Sequence, residues 1–380
     1  MTAYRKIPLA VPVLAGNEAE YLNECVRSGF VSSVGAFVSR FEQKFAAAVG
    51  VGHAVACASG TAALHVALRL AGAAPSRLVA VSDFTFIASA NAASYTGADL
   101  MLVDSEPETW NMNTALLHDE VVRRSAAGAR IPDVIEVVHV LGHPADIEPL
   151  LDLRERFGIR IVEDAAESLG ASWTGGPAAG RQVGTVGDFG CFSFNGNKII
   201  TSGGGGMIVS NDEPSAAKAK YLTTQAKESD GDYRHDEIGY NYRLTNIAAA
   251  LGLAQLERLS KVLDIKRHNA AIYRQLLAGL PLKCAPVADW ANPSYWLHSI
   301  LLDLNCFGPS VVADRLREQG IEARKLWPPV HQQKPYSTVA RLGAGVADSI
   351  YDRGLSLPSS VDLTADEIRR VAVNLIDSLR

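Results

Sequence analysis

No stretch of the 380-residue chain stays apolar for the length of a membrane span, and the opening Met1-Thr2-Ala3-Tyr4-Arg5-Lys6-Ile7-Pro8 leads into no signal-peptide core. No membrane partner is expected. Cysteine is sparse: Cys25, Cys57, Cys191, Cys284 and Cys306 are odd in number, widely spaced and without a CxxC pair. That argues against a disulfide framework and for reduced thiols packed as small hydrophobes in the cytoplasm. Basic charge is in deficit, 36 Lys and Arg against 41 Asp and Glu, and the basic residues are scattered. A polycation for nucleic acid or a membrane surface is excluded. Also missing are a dinucleotide glycine fingerprint after a first strand, the Lys-Ser/Thr that would turn Gly203–Gly206 into a phosphate loop, any internal repeat and any low-complexity linker. What remains is ordinary globular composition, 48% hydrophobic and 20% charged, with apolar material for a large core and two domains.

Short apolar runs at 54–59, 78–82, 100–104, 134–140, 159–164, 190–194 and 207–210 alternate with stretches of helical spacing such as 62–71 and 149–157. Several runs are apolar on both faces, as strands covered by helices on both sides must be. The pattern predicts an α/β domain on a mostly parallel sheet of about seven strands. Beyond Asn246 the character changes. One long helix is expected from 247 through 280, then a strand at 295–304 and helices at 310–319 and 365–379. The division predicted is a large domain with an N-terminal arm over residues 1–254 and a smaller α/β domain over 255–380. The first 30 residues are expected over the catalytic face or a partner subunit.

Lys198 stands just past a short strand, in the turn Asn195-Gly196-Asn197-Lys198, ahead of Gly203–Gly206. Asp164 ends the apolar run Ile161-Val162-Glu163-Asp164. Active sites gather at the C-terminal ends of parallel strands. An amine on one such end and a carboxylate on another are what pyridoxal phosphate requires: the amine condenses with the aldehyde, and the carboxylate holds the pyridine nitrogen protonated. Beside that cation Asp164 is expected to stay ionised. Ser59-Gly60-Thr61-Ala62 follows a strand and opens a helix, so its free N–H groups can bind a phosphate dianion, although an ordinary N-cap has the same appearance. Ser193 is a second phosphate candidate, because alternation turns Cys191 and Ser193 one way and Phe192 and Phe194 the other. Glu167 can reach the cofactor's ring oxygen or the reacting carbonyl, or be a solvated helix-start carboxylate. Phe86, rather than Phe84, is the candidate to stack on the ring, with a core role as its rival. The cluster Gly239-Tyr240-Asn241-Tyr242-Arg243 reads as a site or a subunit contact. His139 and His143 have the spacing of zinc ligands on a helix, but a strand running into a Gly/Pro turn does not put them on one face. No metal is expected.

These motifs, with Gly16-Asn17-Glu18, Thr85-Phe86, Gly184-Thr185-Val186-Gly187-Asp188 and Glu163-Asp164-Ala165-Ala166-Glu167-Ser168, resemble the DegT/DnrJ/EryC1/StrS family of pyridoxal-phosphate-dependent nucleotide-sugar aminotransferases over nearly the whole chain. The resemblance implies a fold-type-I (aspartate aminotransferase-like) architecture and a homodimer with active sites at the subunit interface. It implies Lys198 and Asp164 as the catalytic pair. Gly60, Thr61, Ala62 and Ser193 would hold the phosphate, joined by Asn241 of the neighbouring subunit, with Phe86 on the ring and Glu167 beside it. Asn195, Tyr240, Arg243 and His331 are the implied substrate contacts. Many members carry Gln where this chain has Glu167, and Gly-Glu-Gly-Gly where it has Gly203–Gly206. Both variants, with Phe30-Val31-Ser32-Ser33-Val34-Gly35 and Asn195-Gly196-Asn197-Lys198-Ile199-Ile200, resemble the branch acting on UDP-linked 4-keto-6-deoxy-N-acetylhexosamines in bacillosamine and legionaminic acid pathways, with L-glutamate as donor. GDP- or dTDP-linked keto sugars are the alternative acceptors. Members in which His replaces the lysine are dehydratases, so Lys198 implies transamination.

Overall fold

The apolar runs form strands β1 (His53–Cys57), β2 (Leu78–Ser82), β3 (Asp99–Val103), β4 (Val134–Val138), β5 (Arg160–Asp164), β6 (Phe189–Ser193) and β7 (Gly206–Ser210) of one sheet. The C-terminal part adds β8 (Leu282–Cys284), β9 (His298–Leu302), β10 (Arg324–Lys325), β11 (Ala340–Leu342) and β12 (Gly354–Leu357). The computed structural model describes residues 5–228 and 233–379. The large sheet has eight strands in the order β1-β7-β6-β5-β4-β2-β3-β11. Only β7 runs against the others. The eighth strand, β11, was not expected. Three residues are too few to show a period, and β11 adds to the edge from far along the chain, beside β3.

Strands β2 and β4 are buried along their whole length, and the physical cause is two-sided cover. Alternation sends Val79, Val81, Val134 and Val162 into one apolar cluster and Ala80, Ile135, Val137 and Ile161 into another on the opposite face. A third cluster, containing Ile300, Leu316, Ile321, Leu355 and Val371, surrounds the smaller sheet β10-β12-β9-β8. The boundary drawn at 254/255 is crossed from both sides. Ile7 belongs to this third cluster and pairs with Ile321, while β11 joins the large sheet.

The single helix expected over 247–280 is two, Asn246–Leu256 and Leu259–Leu276. Apolar spacing runs through the joint, so periodicity does not reveal it. The joint is pinned by the N-terminal arm: Asn17 Nδ2 and Tyr21 OH each donate to the Glu257 carboxylate at 2.7 Å, and Arg258 donates to the Val13 carbonyl at 3.0 Å. β4 also ends sooner than expected, at Val138, and β9 starts only at His298, because Tyr295 has a left-handed backbone (φ 52°) that no strand accommodates.

Candidate active site

Parallel β2, β4, β5 and β6 end on one edge of the sheet, and a cavity of about 360 Å³ opens there. Asp164 closes β5, Ser193 closes β6, and the turn Asn195–Lys198, closed by Lys198 N–H donating to the Asn195 carbonyl at 3.0 Å, returns Lys198 to the same edge. All four residues line the cavity. Lys198 Nζ lies 3.8 Å from the centre of the Trp296 ring and 3.9 Å from Glu167 Oε1. Burial pulls the Lys198 amine below the usual lysine range, with Glu167 and Asp164 pulling the other way. That favours a nucleophilic amine.

Asp164 is 4% exposed and accepts from Ser89 Oγ at 2.8 Å and from Ala166 N–H at 3.0 Å. Burial raises its carboxyl, opposed by those two bonds and the Lys198 charge. A protonated ring nitrogen against it would act in the same sense as Lys198, favouring the ionised form. Glu167 is buried, not the solvated helix-start acid that was its rival reading. Its Oε2 accepts from the Leu141 N–H at 2.8 Å, and Leu141 adopts a left-handed backbone (φ 55°) in the turn that presents this N–H. Burial pushes Glu167 up to about 7.

The end of the cavity that the sequence marks as a candidate for a phosphate is built by β6 and the helix Gly60–Leu70. Ser59 caps that helix by accepting the Ala62 N–H at 3.1 Å. Ala62 therefore spends its donor on the cap and does not line the cavity, whereas Gly60 and Thr61 line it and have first-turn N–H groups with no helical partner. A Cβ on Gly60 would stand 2.8 Å from Ser193 Cβ, so only glycine keeps this cradle open. Phe86 is 56% exposed and lines the cavity; Phe84 is buried and stacks on Trp327. Free N–H donors, a serine hydroxyl, an open aromatic face, a buried carboxylate and a buried amine together fit pyridoxal phosphate.

Four expected contacts lie outside this chain's cavity. Tyr240 stacks on Tyr242 and against His65. Asn241 pairs with Thr224, and Arg243 bridges to Cys57 with its Nε buried and unpartnered among the described residues. His331 is held on both ring nitrogens, 2.7 Å from Asp83 Oδ2 and 3.1 Å from Asp348 Oδ1. Residues the motifs did not mark do line it: Trp296, Arg324, Lys325 and Ser356, from the smaller sheet and its approaches. The one signal for them was the consecutive basic pair ahead of Trp327-Pro328-Pro329. His139 and His143 are engaged elsewhere. His139 Nδ1 accepts the Ala145 N–H, so its Nε2 donates to Glu163, 2.9 Å away. His143 Nδ1 donates to the Pro144 carbonyl, and burial holds its ring down at about 4.

Comparison with known proteins agrees with this geometry. Residues 12–376 match the DegT/DnrJ/EryC1/StrS aminotransferase family. The chain is 39% identical to "Putative pyridoxal phosphate-dependent aminotransferase EpsN" of Bacillus subtilis, over 97% of this chain and 94% of that one. It is also 39% identical to the GDP-perosamine synthase of Caulobacter vibrioides, over 99% of both. A family member of solved structure from Brucella abortus superposes with a TM-score of 0.88 at 27% identity, over 96% of this chain and 95% of that one. The match runs from the N-terminal arm to the last helix, and this protein belongs to the DegT/DnrJ/EryC1/StrS aminotransferase family and is a pyridoxal-phosphate-dependent sugar-nucleotide aminotransferase.

Proposed function

We propose that the enzyme transfers an amino group from L-glutamate to the 4-keto carbon of a UDP-linked 4-keto-6-deoxy-N-acetylhexosamine, in the cytoplasm, as a homodimer with shared active sites. The observation that carries the substrate class is Glu167, a carboxylate where many family members have Gln, buried beside Lys198. Its companion is the run Gly203–Gly206, where many have Gly-Glu-Gly-Gly. Both variants resemble the branch acting on UDP-N-acetylhexosamines.

Bound pyridoxal phosphate supplies an aldehyde and an electron sink. The residues do the rest. Gly60, Thr61 and Ser193 anchor the phosphate. Asp164 keeps the ring nitrogen protonated, and Ser89 keeps Asp164 in place. Lys198 Nζ takes the proton from the glutamate Cα in the first half-reaction and moves the corresponding proton in reverse in the second, after 2-oxoglutarate has left. Acid–base transfer of this kind contributes on the order of 10²–10⁴-fold. Trp296 and Phe86 narrow the cavity around the reacting carbon.

The homodimer is supported by two features. Phe30, Val31 and Val34 are exposed on the loop that Asn246 holds by donating to the Phe30 carbonyl at 2.7 Å. Tyr240, Asn241 and Arg243 also fail to reach their own chain's cavity, as residues serving a neighbour's site would. A GDP-linked 4-keto-6-deoxymannose acceptor is the second reading, favoured by the likeness to the Caulobacter GDP-perosamine synthase. Comparing kcat/KM for the UDP- and GDP-linked keto sugars decides between them. The proposal requires the UDP sugar to win by at least about tenfold, a difference of about 1.4 kcal/mol in transition-state binding, and a preference for the GDP sugar overturns it.

A further inference from the structure

We propose that Trp296 is a positioning residue for the transamination: its ring seats the free amine of Lys198 between taking up a proton and giving it back. The inference rests on the reading above in one respect, that Lys198 Nζ moves the proton. It concerns the glutamate half-reaction and holds whichever keto sugar is the acceptor.

Lys198 must be free of the cofactor to act as a base. Its side chain then has four rotatable carbons, and proton transfer needs the amine within hydrogen-bond reach of one substrate carbon. Two groups stand close to Nζ. Glu167 Oε1 is 3.9 Å away, and the centre of the Trp296 ring is 3.8 Å away. A tryptophan face at that distance attracts the ammonium form and has no site that could take its proton. The ring can therefore hold Nζ without competing with it as a base.

Trp296 is fixed by polar ties that a core aromatic does not need. Its Nε1 donates to the Asn197 carbonyl at 2.6 Å, in the turn that carries Lys198. Its own carbonyl accepts from Lys266 Nζ at 3.0 Å. Trp327 backs it at 6.2 Å between ring centres and stacks in turn on Phe84. The ring is thus tied to the backbone one residue before Lys198, so seat and amine keep their relation if the turn shifts. The turn Val140–Gly142 sets both neighbours of the amine. Leu141 presents its N–H to Glu167. Gly142 (φ 96°) packs on the Trp296 backbone, where a Cβ would stand 2.8 Å from Trp296 N, and its carbonyl accepts the Ser294 N–H at 2.9 Å. Leu141 and Tyr295 hold left-handed backbone (φ 55° and 52°) on either side of this contact. Such conformations are unfavourable for bulky residues and persist where the surroundings impose them.

The test compares wild type with Trp296→Leu, which removes the aromatic face, and Trp296→Phe, which keeps a face and loses the Nε1 bond. Stopped-flow absorbance of the cofactor-loaded enzymes gives the maximal rate of the glutamate half-reaction and the Kd for glutamate, with ordinary and Cα-deuterated glutamate. Acetic anhydride labelling of Lys198, read by mass spectrometry on the enzymes loaded with pyridoxamine phosphate, reports without turnover how well the free amine is covered. Trp296→Leu is expected to lose about 10–100-fold in rate with Kd within about threefold, an isotope effect no smaller than that of wild type, and Lys198 labelled at least about threefold faster; Trp296→Phe should fall between. A Trp296→Leu rate within about threefold of wild type overturns the proposal. So does a rate lost together with a shrunken isotope effect or an equal rise in Kd, because that loss lies outside the proton step. Should Trp296→Leu not fold, Trp296→Phe decides alone: a loss of about 3–10-fold with the isotope effect retained is expected, and wild-type rate and labelling overturn the seat. Failure of the Lys198 reading looks different. Wild type itself would then show no isotope effect with deuterated glutamate, while the labelling comparison would still test whether Trp296 seats the amine.

Discussion

Glu167 and Lys198 face each other across 3.9 Å at the floor of the cavity, an acid raised to about 7 by burial beside an amine lowered by the same burial. Each is the main charged neighbour that opposes the other's shift. A carboxyl with a raised pKa is neutral below about 7 and ionised above it. The glutamate half-reaction of the wild-type enzyme is therefore expected to show a titration near pH 7 that vanishes in Glu167→Gln. The amide oxygen can still accept the Leu141 N–H, so the fold should hold. A limb near pH 7 that persists unchanged in the variant would assign it to another group.

Asp164→Asn should keep the cofactor, because the phosphate cradle is untouched, and should slow proton removal from glutamate by at least about 10²-fold. Stopped-flow absorbance on the glutamate half-reaction measures this. A rate within about threefold of wild type would take Asp164 off the ring nitrogen.

Glu136 lies in the middle of β4 with both carboxylate oxygens buried and unpartnered among the described residues. Burial raises its carboxyl well above the ordinary range, with Asp164 adding to the rise. The folded protein keeps this proton while the unfolded chain loses it above about pH 4.3, so stability from this group is present at low pH and falls as pH rises from there. Glu136→Met should remove that fall and raise stability at pH 7 by about 1–3 kcal/mol. Urea unfolding of both proteins at pH 5 and pH 8 checks it; equal pH slopes would contradict the burial argument.

Lys266 gives the opposite slope. It is buried in the helix Leu259–Leu276 and donates to the carbonyls of Trp296, at 3.0 Å, and Ser359, at 2.7 Å, and burial alone lowers it to about 7. Holding it charged in the fold costs on the order of 5 kcal/mol relative to an ordinary lysine. The unfolded chain binds the proton up to about pH 10.4, so stability from this group is present at high pH and is lost as pH falls toward about 7. Lys266→Met should flatten the rise in unfolding free energy between pH 7 and pH 10. It should also loosen Trp296, visible as a shift in tryptophan emission. An unchanged slope would mean the ammonium group is better solvated than its position indicates.

Lys198, Asp164, Ser193 and Gly60 were legible in the sequence as cavity residues because each stands at or shortly past the end of an apolar run, where parallel strands open a site. The strand alternation was legible for the same reason: burial on both faces writes β2 and β4 as unbroken apolar letters. Trp296, Arg324 and Lys325 were not, since segments about a hundred residues or more from Lys198 bring them to the cavity, and no local period records that approach. The joint at Glu257-Arg258 escaped because its cause, the bonds from Asn17, Tyr21 and Val13, lies some 240 residues upstream. The motif marked His331 as a substrate contact, and the structure puts it outside this chain's cavity. The acids that hold its ring in this chain, Asp83 and Asp348, carry no mark in the sequence.

The central claim is tested most directly by the absorbance spectrum of the cofactor-loaded wild-type enzyme and of Lys198→Ala, recorded before glutamate, after glutamate, and after UDP-4-keto-6-deoxy-N-acetylglucosamine. The wild-type enzyme should show a long-wavelength band from the lysine-linked cofactor, which glutamate bleaches and the keto sugar restores, while Lys198→Ala shows neither the band nor turnover. A Lys198→Ala enzyme that keeps the band and near wild-type turnover would contradict the account from Lys198 onward.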